Sequence, residues 1–173
     1  RPVEDFSFQF YGCNKLTSLD VSHFNTSKAT SMSYMFYECS NLKYLDVTSF
    51  DTSKVTDMSF MFASCPVLTS VDVSNFKTGE VTTMNSMFSG CQGIKEINSA
   101  NFDTSNVIDM SQMFKNCMSI KSIILDNFDT RKVTDMYFMF GYCMQIESLN
   151  LSKFVTSKVT DMGYLFYTCN KLK

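Results

Sequence analysis

Cysteine recurs at Cys13, Cys39, Cys65, Cys91, Cys117, Cys143 and Cys169, each 26 residues after the last, with no insertion or deletion. A fixed period of this length is the mark of a solenoid, in which every repeat adds one coil to a continuous stack. Other residues keep the same count. Phe24, Phe50, Phe76, Phe102, Phe128 and Phe154 form one column, and Phe10, Phe36, Phe62, Phe88, Phe114, Phe140 and Phe166 form another. Met32, Met58, Met84, Met110, Met136 and Met162 run beside Met35, Met61, Met87, Met113 and Met139. Eleven of the 13 methionines thus share two phases of one repeat, which marks them as adaptable core filler rather than a metal or cofactor box. No cofactor is implied.

The chain reads as one array over residues 1–173. It comprises a partial repeat 1–12, full repeats 13–38, 39–64, 65–90, 91–116, 117–142 and 143–168, and a partial repeat 169–173. The net charge of −2 and the alternation of lysine with aspartate argue against nucleic acid as a partner. Apolar runs are too short to span a membrane. Arg1-Pro2 is not an initiator sequence, so a mature product or an excised fragment is expected. Both ends fall mid-repeat, and the expectation is that the native array continues or that its ends stack on other copies.

One repeat, Cys39 to Ser64, shows two kinds of spacing. Leu42, Leu45 and Val47 follow L-x-x-L-x-V, an inward-facing strand of the leucine-rich-repeat kind, with parallel neighbours stacked about 4.8 Å apart. A turn follows at Asp51–Val55. Val55, Met58, Met61, Phe62 and Cys65 then recur at three- and four-residue steps, which predicts a short helix. Thr56 or Ser53 would cap it, and Asp57, Asp109, Asp135 and Asp161 would sit in its first turn. The expected fold class is therefore α/β. Each coil of a curved, leucine-rich-repeat-like solenoid would carry a parallel strand on its inner face and a short helix on its outer face. A flatter all-β solenoid without helix is the alternative.

The string LDVTSFDTSKVTDMSFMFASC, Leu45 to Cys65, resembles the repeats of BspA-like leucine-rich-repeat surface proteins, in the mycoplasma-type variant L-D-V-S-x-F-D-T-S-x-V-T-D-M-S-x-M-F-x-x-C. The resemblance covers nearly the whole chain and departs at Asn98-Ser99-Ala100, Ile124-Leu125-Asp126 and Val155. It implies an extracellular or cell-surface scaffold for adhesion, binding protein or glycan on a host or neighbouring cell. It carries over no catalytic residue.

Other candidates are weaker. The cysteine column is expected to be buried thiols, with paired disulfides as the alternative; one histidine and no C-x-x-C spacing argue against metal. His23 has no nucleophile placed for it, and an enzyme is disfavoured. Asp20, Asp46 and Asp72 form a carboxylate strip, a weak candidate for a cation such as Ca²⁺ and more simply a solvated strip relieved by Lys43 and Lys28. The threonines Thr26, Thr52, Thr78, Thr104, Thr130 and Thr156 suit a hydroxyl ladder that satisfies turn backbone. All eight tyrosines fall outside the apolar columns. On the strand face, Tyr44, Lys95, Glu96, Lys121, Ile124 and Glu147 vary while the core stays constant, and they are the expected ligand-binding positions. A self-assembling unit joined through its ends is the second functional class.

Overall fold

A computed structural model describes residues 3–173; Arg1 and Pro2, the basis of the truncation argument, lie outside the described residues. Parallel strands β1 (Ser18–Asp20), β2 (Tyr44–Asp46) and β3 (Ser70–Val71) form one sheet, and β4 (Glu96–Ile97) and β5 (Ser122–Ile123) form a second. The register equals the repeat: Leu19 pairs with Leu45, Leu45 with Val71, and Ile97 with Ile123. Strand residues alternate outward and inward, as a period of two requires, so this central column is turned to the core. A second ladder of parallel bridges runs from Asp5 through Ser31, Asp57, Thr83, Asp109 and Asp135 to Asp161. Each coil thus touches its neighbours along two walls.

No helix occurs among the described residues, which corrects the α/β assignment; the all-β alternative is the one observed. The segment expected to be helical is a run of tight turns. Phe60 and Ser64 have left-handed φ of 57° and 58°, which a helix does not allow. Amides then divide their loyalties. Those of Met58, Phe60, Phe62 and Ser64 donate to the next coil, at Thr83, Asn85, Met87 and Ser89, over 2.7–3.2 Å. Those of Met61 and Ala63 donate three residues back within the turn, to Met58 and Phe60. A helix of two turns is marginal alone. Helices also pack about 8–10 Å apart, whereas strands repeat at about 4.8 Å, so a wall of turns matches the strand wall and helices would not.

The expected helix caps have other duties. Asp57 accepts the Ser59 amide and hydroxyl at 2.8 and 2.6 Å, and Asp109 treats Ser111 identically. Asp135 and Asp161 accept the amides of Tyr137 and Gly163. The Thr56 hydroxyl donates to the Thr30 carbonyl, and the Ser53 amide to Asp51.

Between the walls lies a continuous core. Phe10, Phe36, Phe62, Phe88, Phe114, Phe140 and Phe166 stack ring on ring, with centroids 5.5–5.8 Å apart and planes within 13°. The methionine columns fill the space beside them, fully buried from Met32 to Met139. The buried threonines form the expected ladder: Thr104 accepts the Asp129 amide at 2.7 Å and donates to its carbonyl at 3.1 Å, and Thr130 does the same to Val155. A hydroxyl can be donor and acceptor at once, while the threonine methyl still packs, so no other small residue serves as well. Among the described residues, no buried side-chain nitrogen or oxygen lacks a partner.

Candidate interaction surfaces

The cysteine column runs inside the coil. Cys39, Cys65, Cys91, Cys117 and Cys143 are buried free thiols, and Cys13 and Cys169 are partly buried. Each thiol from Cys39 onward donates to the carbonyl of a core phenylalanine 29 residues earlier, as Cys65 does to Phe36 at 3.2 Å. Burial pushes Cys39 up to about 11 and Cys65 to about 12, with Cys91, Cys117 and Cys143 also well above the ordinary thiol value. Such thiols are neutral and inert near pH 7. Among the described residues no group of three or more His, Cys, Asp or Glu side chains is placed to hold a metal ion. His23 is exposed, in the turn after β1.

The strand wall brings the six expected binding residues onto one face, all exposed. Lys95, Lys121 and Glu147 occupy one column in consecutive coils, linked by backbone bonds such as Lys121 to Lys95. Tyr44 and Glu96 share the adjacent outward column, two coils apart, and Ile124 lies in the next one. Tyr44 is 66% exposed and makes no ring contact with another aromatic, because its column neighbours are Ser18 and Ser70. It overlooks a shallow depression of about 610 Å³, lined also by Asp20, Asp46, Thr48 and Asp72.

Those three aspartates each close a turn of their own. Hydrogen bonds from Ser22, Thr48 and Ser74 hold the carboxyls of Asp20, Asp46 and Asp72 below the usual range, against mutual repulsion along the strip. Lys43 and Lys28 are the relief expected from the sequence. In the structure the hydroxyl and amide donors two residues on do that work, and Lys28 lies instead beside Lys54.

The opposite wall is the wall of turns. Seven of the eight tyrosines lie there, in two clusters. Phe8, Tyr34 and Phe60 stack at 4.7 and 4.5 Å, flanked by Tyr11 and Tyr37. Farther along, Phe138 packs among Tyr137, Tyr142, Tyr164 and Tyr167, with the Lys115 ammonium 4.8 Å from its ring centre. Gly141 makes room, since a Cβ there would meet the Phe138 ring at 2.1 Å. Phe8, Tyr34, Phe60, Ser86, Gln112, Phe138 and Tyr164 are one column, all at φ of 53–59°. The column changes from Phe to Ser and Gln at constant backbone, with Ser86 and Phe138 buried and Phe8 and Tyr164 exposed. That change was visible in the sequence, but a helix assignment gave it no face.

The family of mycoplasma proteins of unknown function, DUF285, matches residues 4–99 and 90–173, together nearly the whole chain. The chain belongs to this family. Its membership bears out the mycoplasma-type repeat read from Leu45 to Cys65. Among solved structures, the DUF285 chain is similar to a leucine-rich repeat protein from Bacteroides ovatus, at 19% identity and a TM-score of 0.33, covering 99% of this chain and 58% of that one. It is also similar to a leucine-rich repeat protein from Eubacterium ventriosum, at 17% identity and a TM-score of 0.47, covering 86% and 41%. The DUF285 chain therefore spans about half the length of these two proteins. No curated protein matches it. No helix among the described residues is long and apolar enough to cross a membrane.

Proposed function

We propose that the chain is a non-catalytic binding scaffold of a surface or secreted protein, engaging protein or glycan on a host or neighbouring cell through its strand wall. The observation that carries this reading is the contrast within that wall. Inward positions Leu19, Leu45, Val71, Ile97 and Ile123 stay aliphatic and the backbone stays in register, while the outward positions beside them change in charge, size and polarity. A rigid frame with free outward positions lets contact residues be exchanged without refolding the coil.

Tyr44 is the natural centre. Its unstacked ring offers a flat apolar platform to a sugar ring or an aliphatic side chain. Asp20, Asp46 and Thr48 beside it supply hydrogen-bonding oxygen atoms. Ile124, 41% exposed, provides a second apolar contact farther along the same wall.

The purified chain, tested by biolayer interferometry against a glycan panel and against intact host cells, is expected to bind. The Tyr44→Ser/Ile124→Ser variant should then lose about tenfold or more in affinity, the usual scale for two apolar contacts. Undiminished binding by the variant would show that the strand wall is not the contact surface. Absence of binding to either target would remove the adhesion reading.

A further inference from the structure

The two walls of the array are not equally continuous. On the strand wall, β1, β2 and β3 form one sheet and β4 and β5 another, and no backbone hydrogen bond joins residues 68–72 to 94–98. The Lys95 amide lacks the bond that its counterparts Lys43 and Lys121 make to the preceding coil at 2.9 and 2.8 Å. On the turn wall the same two coils are fully joined. Amides of Met84, Ser86, Phe88 and Gly90 donate to the carbonyls of Asp109, Ser111, Met113 and Lys115 over 2.8–3.0 Å. The Phe88 and Phe114 rings stack beside them, their planes 2° apart.

Two further departures fall at this step. Ser99, fully buried, stands in the core column held by Val21, Val47, Val73, Leu125 and Leu151 in the other coils. Its hydroxyl donates to the Ile124 carbonyl, which ties its coil to the one after and presents less apolar surface to Val73 before it. The threonine ladder is also halved here. Thr78 donates to the Asp103 carbonyl at 2.9 Å, but the Asp103 amide does not return a bond to Thr78 as the Asp129 amide does to Thr104. Beyond that half-rung, the strand side is latched by an exposed bond, from the Asn101 carboxamide to the Ser74 carbonyl at 2.7 Å. An exposed bond of this kind exchanges readily with water and adds little net stability.

We infer that the array hinges at this step: the strand wall parts between β3 and β4 while the turn wall stays joined as the fixed edge. Coils that hold only their neighbours can open at one interface without unfolding the rest. Pairing also stops after β5, but there Thr130 bonds Val155 in both directions and the core column stays aliphatic at Leu125 and Leu151. The hinge divides the exposed strand face, with Tyr44 on one side and Glu96, Lys121 and Ile124 on the other. Opening spreads the two groups apart, and a partner that bridged them would hold the wall shut. The hinge itself does not depend on the adhesion reading.

Nitrogen-15 relaxation dispersion on the whole chain should show microsecond-to-millisecond exchange in residues 70–74 and 95–101, on either side of the gap. Amide hydrogen exchange across 95–98 should run about a hundredfold faster than across 43–46 and 121–124, with the amides of Ser86 and Phe88 as protected as those of Phe60 and Phe62. Asn101→Ala removes the latch and should enlarge the dispersion. Ser99→Val restores the aliphatic column and should shrink it. Flat dispersion across the gap in the unaltered chain would overturn the inference. So would equal loss of protection at Ser86 and Phe88, which would mean that the coils separate altogether, or dispersion that neither variant changes.

Discussion

A cysteine in every coil serves here as a neutral donor. Its thiol spans two coils, from its own turn to the carbonyl of a core phenylalanine in the previous one. This has a pH signature. The ordinary thiol value is 9.0, and burial raises Cys39 to about 11 and Cys65 to about 12. The unfolded chain ionises first as pH rises, so the contribution is complete below about pH 9 and is lost as pH climbs through the folded values. Stability measured by urea unfolding should fall from about pH 9 to about pH 12. The fall should be smaller in Cys65→Ala, and the comparison with wild type separates the thiol from lysine and tyrosine titration. The buried thiol itself was legible from sequence, because Cys39 sits on the apolar register three residues before Leu42. Its acceptor was not, since a carbonyl 29 residues away becomes a neighbour only once coils are stacked. The threonine ladder shows the same division. Its invariance announced a structural duty, while the peptide it serves, 25 residues on, required the three-dimensional register.

At the scale of the element, the strand was legible and the helix was misread. Alternation at Leu45 and Val47 has one physical reading, an edge facing the core. Spacings of three and four at Met58, Met61, Phe62 and Cys65 have two, because a chain of tight turns also returns every third or fourth side chain to one side. What separates them is the left-handed pair of positions per repeat, the second of which is held by Gly12 and Gly90 in two coils but by Glu38, Ser64, Asn116, Tyr142 and Thr168 in the others. Glycine in only two of the coils is too thin a signal to read. The turns are close-packed against their neighbours, and Gly93 shows how closely. A Cβ there would lie 2.8 Å from the Leu68 carbonyl oxygen and 3.1 Å from that of Pro66, both backbone atoms of the preceding coil. Gly93→Ala should destabilise by about 1–3 kcal/mol in urea unfolding, the range for overpacking. At Gly79 the only nearby group is the Asp103 carboxylate, 3.3 Å away and free to swing. Gly79→Ala should therefore cost under about 0.5 kcal/mol.

For the whole molecule, the period is the design. Every core column, both walls and the threonine ladder share one register, so an entire coil is a removable part. Deleting Cys91–Asn116, which joins Gly90 to Cys117, should leave a folded chain whose circular dichroism keeps its β and turn character and shows no helical double minimum. The denaturant dependence should shrink by roughly 15%, in proportion to the length removed. A deletion one residue longer should abolish folding, because it shifts every inward side chain of the following coils out of phase. The face proposed for binding follows from the same logic. Its location on exposed, changing columns could be read from the sequence, but which wall carried the tyrosines could not, because that depended on the misread element.

The division of amide bonds between coils has a mechanical consequence. Coils hold only their immediate neighbours, through bonds lying along the axis of the stack. A load applied to the two ends of the chain therefore falls on one terminal coil at a time rather than on the array. Each yielding coil pays out about 26 residues of slack, close to 90 Å when taut, before the next one bears the strain. A tether built this way lengthens in equal instalments and absorbs a sudden pull, where a single cooperative globule would hold and then fail at once.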